Sequence, residues 1–316
     1  VSTLAATLRA ARGMSHKADL QAVLQGLHGH GDVRIGDDCA AIPDGEGYLL
    51  LAIEGFVEDF VRADPYFAGY CGVMVNASDV YAMGGRPIAV VDALWSDGPS
   101  TAGPAMRGLA DAARIYGIPI VGGHTNMRAA SGQLGVAILG RARKLLTSFD
   151  ALPGDILVTA IDLRGSFRGE SLYWDASSGK RPEDLRAALN ILPTLAESGL
   201  CRAGKDISMA GLVGTALMLC ESSKIGLQIN LQAIPRPPAI PLERWLTAFP
   251  SYGFLLAVSP ADQTAVLRAF AACGMSAAAI GACDDTQRMM LEGPDCTECF
   301  WDLSDTPFMG VRHNNA

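Results

Sequence analysis

Between Phe67 and Val80 apolar side chains return at steps of three and four: Phe67, Tyr70, Val73, Met74, Ala77 and Val80. That spacing predicts an amphipathic helix with one buried stripe, stopped by Gly84-Gly85 and the Pro87 that follows. Asn76 and Asp79 are three apart and fall on a common face, where an amide and a carboxylate together could serve a cation and the polar ligand it accompanies. A half-buried helix with a solvated Asn and Asp is the plainer alternative. Upstream, residues 2–12 and 17–28 carry helical patterning, the second stretch after a capping Ser15. Shorter apolar runs predict strands over 39–42, 48–53, 88–95, 118–121 and 133–141, with a helix over 101–116.

The turn over 151–155 feeds a strand at 156–159 and marks a domain boundary. Beyond it the pattern predicts helices over 182–197 and 209–221, then a strand over 227–231. A proline-rich connector (234–241) leads to a strand, helix and strand over 253–258, 261–273 and 277–281. Such a mixture fits an α/β or α+β chain, not a β-sandwich.

The length of 316 residues exceeds what one hydrophobic core usually serves, which predicts two domains, 1–149 and 150–305, with 306–316 as a tail. Apolar residues make up 49% and charged residues 18%, the composition of a well-buried soluble protein. No apolar run reaches membrane-spanning length and no basic-then-apolar leader opens the chain, so a cytoplasmic protein without a membrane partner is expected. The net charge of −8 argues against nonspecific nucleic-acid binding and suits a chain that gathers carboxylates around metal. Cys71, Cys201, Cys220 and Cys273 sit in apolar elements and read as reduced core residues. Cys296 and Cys299 would need two more ligands to hold zinc, and the nearby candidate is His313; no special role is expected of the pair.

Candidate chemistry lies in four more places. Asp37 and Asp38 follow Gly36, and adjacent carboxylates held in one place usually have a cation between them. Glu54 ends the apolar run LLLAIE, where a carboxylate at a strand end can face a site. Gly122-Gly123-His124-Thr125 reads as a strand entering a flexible turn, in which backbone N–H groups can approach a phosphate. Asp206 and Ser208 suit the start of the helix over 209–221, as cap or as ligand. Neither a Walker A motif nor a G-x-G-x-x-G loop is present.

The pattern N-x-S-D-x-x-A-M-G-G (76–85), with GDDCAAI (36–42) upstream and VGGHTN (121–126) downstream, resembles the AIR synthase superfamily. That group includes aminoimidazole ribonucleotide synthase, thiamine-monophosphate kinase, selenophosphate synthetase and a hydrogenase-maturation protein. The resemblance runs from about residue 30 to 290 and implies two α+β domains, the first giving strands to a β-barrel completed by a second subunit. It implies Mg²⁺ and ATP in the cleft between domains, with Asp37, Asp38, Glu54, Asp79 and Asp206 on the metal. Asn76, Gly122, Gly123, His124, Thr125 and Ser208 would lie by the nucleotide. The implied activity is phosphoryl transfer to, or ATP-dependent activation of, a small polar metabolite, with no residue assigned as general base. An ATP-dependent ligase or cyclase, and a nucleotide-binding regulator without catalysis, are the alternatives. Three departures separate the chain from thiamine-monophosphate kinases: no histidine between His30 and His124, Met209 in place of an acid, and PSYGFLL (250–256) without acidic residues.

Overall fold

The structure, a computed structural model, describes residues 1–24, 26–27 and 33–311. Residues 25 and 28 of the expected second helix, His30, and 312–316 of the expected tail, His313 included, lie outside the described residues. The chain opens with α1 (Ser2–Arg9), α2 (Arg12–Ala18) and α3 (Leu20–Leu24), three short helices where two were expected. Packing sets the second start. α2 begins before Ser15, and at Gly13 it lies so close to residue 209 that a Cβ would stand 2.1 Å from the Met209 carbonyl oxygen.

A hairpin follows, β1 (Ala40–Asp44) and β2 (Gly47–Phe56), turned by two residues with Gly45 at φ +62°. Next come α4 (Glu58–Ala63), α5 (Pro65–Ala82), β3 (Arg86–Trp95), α6 (Pro99–Tyr116), β4 (Ile120–Asn126) and β5 (Gln133–Ala142). The five strands form one sheet in the order β1-β2-β5-β3-β4, antiparallel except for the parallel β3–β4 pair.

α5 is the axis of the first domain. Asp64 caps it by accepting the Phe67 N–H at 3.0 Å, and Pro65 opens its first turn. Every residue of the predicted stripe is buried, and so is most of the opposite side, because the sheet, α6 and the second domain all pack on this helix. α5 and α6 approach closely enough that a Cβ on Gly69 would meet the Ala105 carbonyl oxygen at 1.9 Å. The helix stops at Gly84, which turns the chain with φ +73° where an ordinary side chain would be strained. Among the described residues the other face of the sheet has no such cover. Leu51, Ile53, Ile88, Val91 and Val121 are exposed there.

The second domain contains β6 (Ile156–Ile161), the small pair β7 (Ser166–Phe167) and β8 (Trp174–Asp175), α7 (Pro182–Leu189), α8 (Ile191–Ser198) and β9 (Ala203–Asp206). It continues with α9 (Gly211–Ser223), β10 (Gly226–Asn230), α10 (Leu242–Leu246), β11 (Gly253–Val258) and α11 (Gln263–Ala272). Three strands close it: β12 (Ser276–Asp284), β13 (Arg288–Glu292) and β14 (Thr297–Asp302). Seven strands form a sheet in the order β14-β13-β10-β12-β6-β11-β9. The helix expected over 182–197 is two helices, divided at Asn190.

Period-two alternation sorts the central strands between two cores. Val158, Ala160, Leu256 and Val258 face the core that contains α5, whereas Leu157, Ile161, Leu255 and Ala257 face α9. The first part of the expected tail also belongs to the second core. Phe308 and Met309 are buried, and the Glu221 carboxylate accepts the backbone N–H groups of Phe308, Met309 and Gly310 at 2.7–3.0 Å. Among the described residues no helix is long and apolar enough to cross a membrane.

Candidate functional site

Three chain segments converge where the domains meet. The loop before β1 brings Asp38, the α5 face turned to the second domain brings Asp79, and the last residue of β9 brings Asp206. One carboxylate oxygen from each lies within 4.8 Å of the other two, the spacing of a shared cation site. Asp79 is 5% exposed, and its Oδ2 has no hydrogen-bond partner. A buried carboxylate left without a donor is costly, and a divalent cation supplies what is missing.

The local charges follow from this crowding. Burial first, and then Asp206, Glu54 and Asp38, push the Asp79 carboxyl well above the usual range. Burial and Asp38 push Asp206 up to about 7, and burial with Asp38 pushes Asp37 up to about 6. Glu54, at the site on β2, is raised by burial. The counterweight is Lys205, buried one residue before Asp206, whose ammonium pairs with Asp38. Burial works against its charge, but Asp38, Asp37 and Asp206 outweigh that and hold it protonated.

A cavity of about 360 Å³ opens on this cluster, lined by Asp37, Asp38, Glu54, Asp79, Asp206 and Ser208 among others. The Ser208 hydroxyl has no partner there. A second cavity of about 490 Å³ adjoins Asp37 from the other side. Arg34, Tyr48, Leu145 and Phe149 line it, and the Arg34 guanidinium lies 4.4 Å from the centroid of the Phe149 ring.

Several expected site residues do something else. Asp37 is occupied: Oδ1 accepts the Ser148 hydroxyl at 2.6 Å and the Asp38 N–H at 2.9 Å, and Oδ2 accepts the Ser148 N–H at 2.9 Å. It fixes the loop that carries Asp38. Asn76 is fully buried and donates both its amide hydrogens to backbone, to Gly72 O at 2.8 Å and Val136 O at 2.9 Å. It ties α5 to β5 and does not line either cavity. Three residues turn a helix by 300°, so Asn76 and Asp79 diverge by about 60°, enough to send one to the sheet and the other to the cluster.

Gly122, Gly123, His124 and Thr125 form no turn. They are exposed residues of β4, at the far edge of the sheet from β1. β5 and β3 stand between β4 and β2, about 14 Å at the spacing of neighbouring strands, so within one chain these residues do not reach the cluster. Gly123 has a local reason to be glycine, since a Cβ would meet Asp92 Oδ1 at 2.5 Å. Asp206 and Ser208 precede α9 without capping it: Asp206 ends β9, and Ser208 donates its N–H to Thr215 Oγ1. Lys205 was passed over in the sequence. Its signal was slight: a lysine directly before Asp206, in a segment flanked by Arg202 and Ile207.

Two domain models cover most of this framework. Residues 36–142 match the AIR synthase related protein N-terminal domain, and 162–292 match the corresponding C-terminal domain. The chain belongs to the AIR synthase related family. An uncharacterized protein of Synechocystis is 48% identical over 304 residues, 94% of each chain. Selenide, water dikinase of Geobacter metallireducens is 29% identical over 238 residues, 69% of this chain and 68% of the relative. Among solved structures, Thermotoga maritima PurL complexed with ADP superposes with a TM-score of 0.75 at 18% identity, over 93% of this chain and 49% of that one. AaThiL complexed with AMPPCP and TMP superposes with a TM-score of 0.66 at 19% identity, over 84% of this chain and 91% of that one. At such identities the likeness is one of fold. It establishes the two-domain α+β architecture of the family for this chain.

Proposed function

We propose that the protein is a Mg²⁺- and ATP-dependent phosphotransferase that acts on a small metabolite. The observation that carries this reading is the convergence of Asp38, Asp79 and Asp206, with a buried Asp79 oxygen left without a donor, beside a cavity at the domain junction. Relatives of the same fold hold ADP or AMPPCP, which supports a nucleotide as the partner of that cluster. The donor set is all oxygen, the preference of Mg²⁺. When bound, the ion would neutralise and align the phosphates for displacement.

The chain's own groups divide the remaining work. Asp37 and Ser148 hold the Asp38 loop in place. Lys205 offsets one carboxylate charge through its pair with Asp38 and would add positive charge near a bound phosphate. The cavity with Arg34 and Phe149 offers a flat cationic and aromatic wall for the nucleoside. The acceptor oxygen would bond the terminal phosphorus as its bond to the bridging oxygen breaks and ADP leaves.

We also propose a homodimer. The uncovered face of the first sheet, with Leu51, Ile53, Ile88, Val91 and Val121, is the surface that a second copy would bury. A metabolite screen coupled to ADP release tests the activity. Turnover of one acceptor supports it, and Mg-ATP binding with no ADP released across a broad panel would favour a nucleotide-binding regulator.

A further inference from the structure

The cavity over the carboxylate cluster has two ends of opposite character, and α5 measures the distance between them. Cys71, Val75 and Asp79 line it in one row, four residues apart on a single helix face. At 1.5 Å per residue, the eight residues from Asp79 to Cys71 span about 12 Å. At the Asp79 end stand the other carboxylates and the only lysines or arginines among the described lining residues, Lys17 and Lys205. Both ammonium groups act on that end, Lys17 on Glu54 and Asp206, and Lys205 on Asp38.

Away from it the walls are apolar. Phe60, Tyr173 and Phe249 form a continuous aromatic side, with ring centroids 4.8 Å apart for Phe60–Tyr173 and 5.1 Å for Tyr173–Phe249. Phe56 stands two residues from Glu54 on the same face of β2, so even that strand passes from charge to hydrocarbon along the cavity. Leu20 and Leu24 from α3, with Met209 and Met309, line the cavity too.

From this gradient we infer that the acceptor carries an uncharged apolar body, aliphatic or aromatic, up to about 12 Å long, with its reactive polar group at one end. The inference rests on the phosphotransferase reading and narrows its substrate class. The polar group lies at the carboxylates and the body along Val75 toward Cys71. A phosphate or sugar at the far end would lose water and meet no lysine or arginine among the described lining residues in exchange, a cost that disfavours phosphorylated metabolites. The small polar metabolite expected from the sequence is thereby replaced by an amphipathic one.

Calorimetry of the full chain saturated with Mg-AMPPCP tests this with 1-butanol, 1-hexanol and 3-phenylpropan-1-ol, and with ribose 5-phosphate as the charged probe. Affinity is expected to rise about fourfold for each added methylene, and ribose 5-phosphate should not bind. Val75→Asn should remove the chain-length dependence and leave Mg-AMPPCP affinity unchanged, which also reports that the variant is folded; Phe60→Ala should weaken the phenyl alcohol most. Tighter binding of ribose 5-phosphate than of hexanol, or no dependence on chain length, would overturn the inference. So would loss of Mg-AMPPCP binding in both variants while wild type retains it, since the slot would then hold the nucleoside. Failure of wild type to bind Mg-AMPPCP would instead sink the phosphotransferase reading.

Discussion

Lys205 and Asp38 form a buried ion pair inside a cluster of like charges, and each depends on the other. Removing the ammonium leaves Asp38 among Asp37, Asp79 and Asp206 with the Asp206 N–H, at 3.2 Å, but no cation to offset its charge. Lys205→Met is expected to destabilise the metal-free protein by about 3–5 kcal/mol, the usual cost of breaking a buried pair. Urea unfolding measures this, and Mg²⁺ should recover more stability in the variant than in wild type. The raised carboxyls set a pH dependence. Asp206, at about 7, and Asp37, at about 6, both lie above the ordinary 3.8, so between those values the folded state holds protons that the unfolded chain has lost. Their contribution is full below about pH 4 and fades as pH rises to 7. The melting temperature of the metal-free protein should therefore fall across that range, with Mg²⁺ restoring it most at and above pH 7. A melting temperature that rose from pH 4 to 7 would remove these carboxyls from the balance. At this scale the sequence was informative about acids and poor at amides. Asp38, Asp79 and Asp206 could be picked out from the motifs that carry them, whereas the Asn76 amide group donates to backbone, and nothing in its spacing tells that use from a ligand's.

Elements with their own periodicity were legible. α5 was visible from its apolar steps and its glycine stop, and β11 over Gly253–Val258 from an unbroken apolar run. β9 was hidden, because Ala-Gly-Lys-Asp has little strand propensity and is extended through pairing with β11 and a bridge to Thr147. β13 and β14 were missed for a related reason: their polar residues and the turn between them mask a hairpin that the sheet beside it completes. Close packing also sets element-scale stability. On α6, a Cβ at Gly108 would stand 1.8 Å from the Tyr66 carbonyl oxygen, whereas at Gly103 the nearest contact is the end of Arg107 at 3.5 Å. Gly108→Ala should cost about 1–3 kcal/mol or more by forcing α5 and α6 apart. Gly103→Ala should be neutral or stabilising by up to about 1 kcal/mol. Chemical denaturation of the two variants checks the pair, and equal effects would contradict the packing argument.

For the whole molecule, two domains and a mixed α+β chain followed from length and pattern, but where the domains touch did not. Nothing in the local sequence places α2 and α3 over the cavity, or wraps residues 306–311 onto Glu221. Those contacts join positions far apart in the chain, 87–89 residues for Glu221 and its three donors. The same limit hid the distance from β4 to the cluster, since a strand order is not written in the strands themselves. The uncovered sheet face belongs to this scale too. Light scattering should give twice the 33.1 kDa chain mass, and Ile53→Lys, which puts a charge at the most exposed apolar position of that face, should return the monomer. A wild-type mass near 33.1 kDa under native conditions would remove the dimer.

The three converging carboxylates are proposed to form a metal-gated nucleotide site. Titration calorimetry with ATP, in Mg²⁺ and in chelator, reads that most directly when Asp79→Asn is run beside wild type. Without a cation the carboxylates repel the phosphates, so binding is predicted in Mg²⁺ and none in chelator. The near-isosteric variant should keep the fold and lose about tenfold or more of the Mg²⁺-dependent affinity. Equal ATP affinity with and without Mg²⁺, or an Asp79→Asn variant that binds Mg-ATP as wild type does, would contradict it.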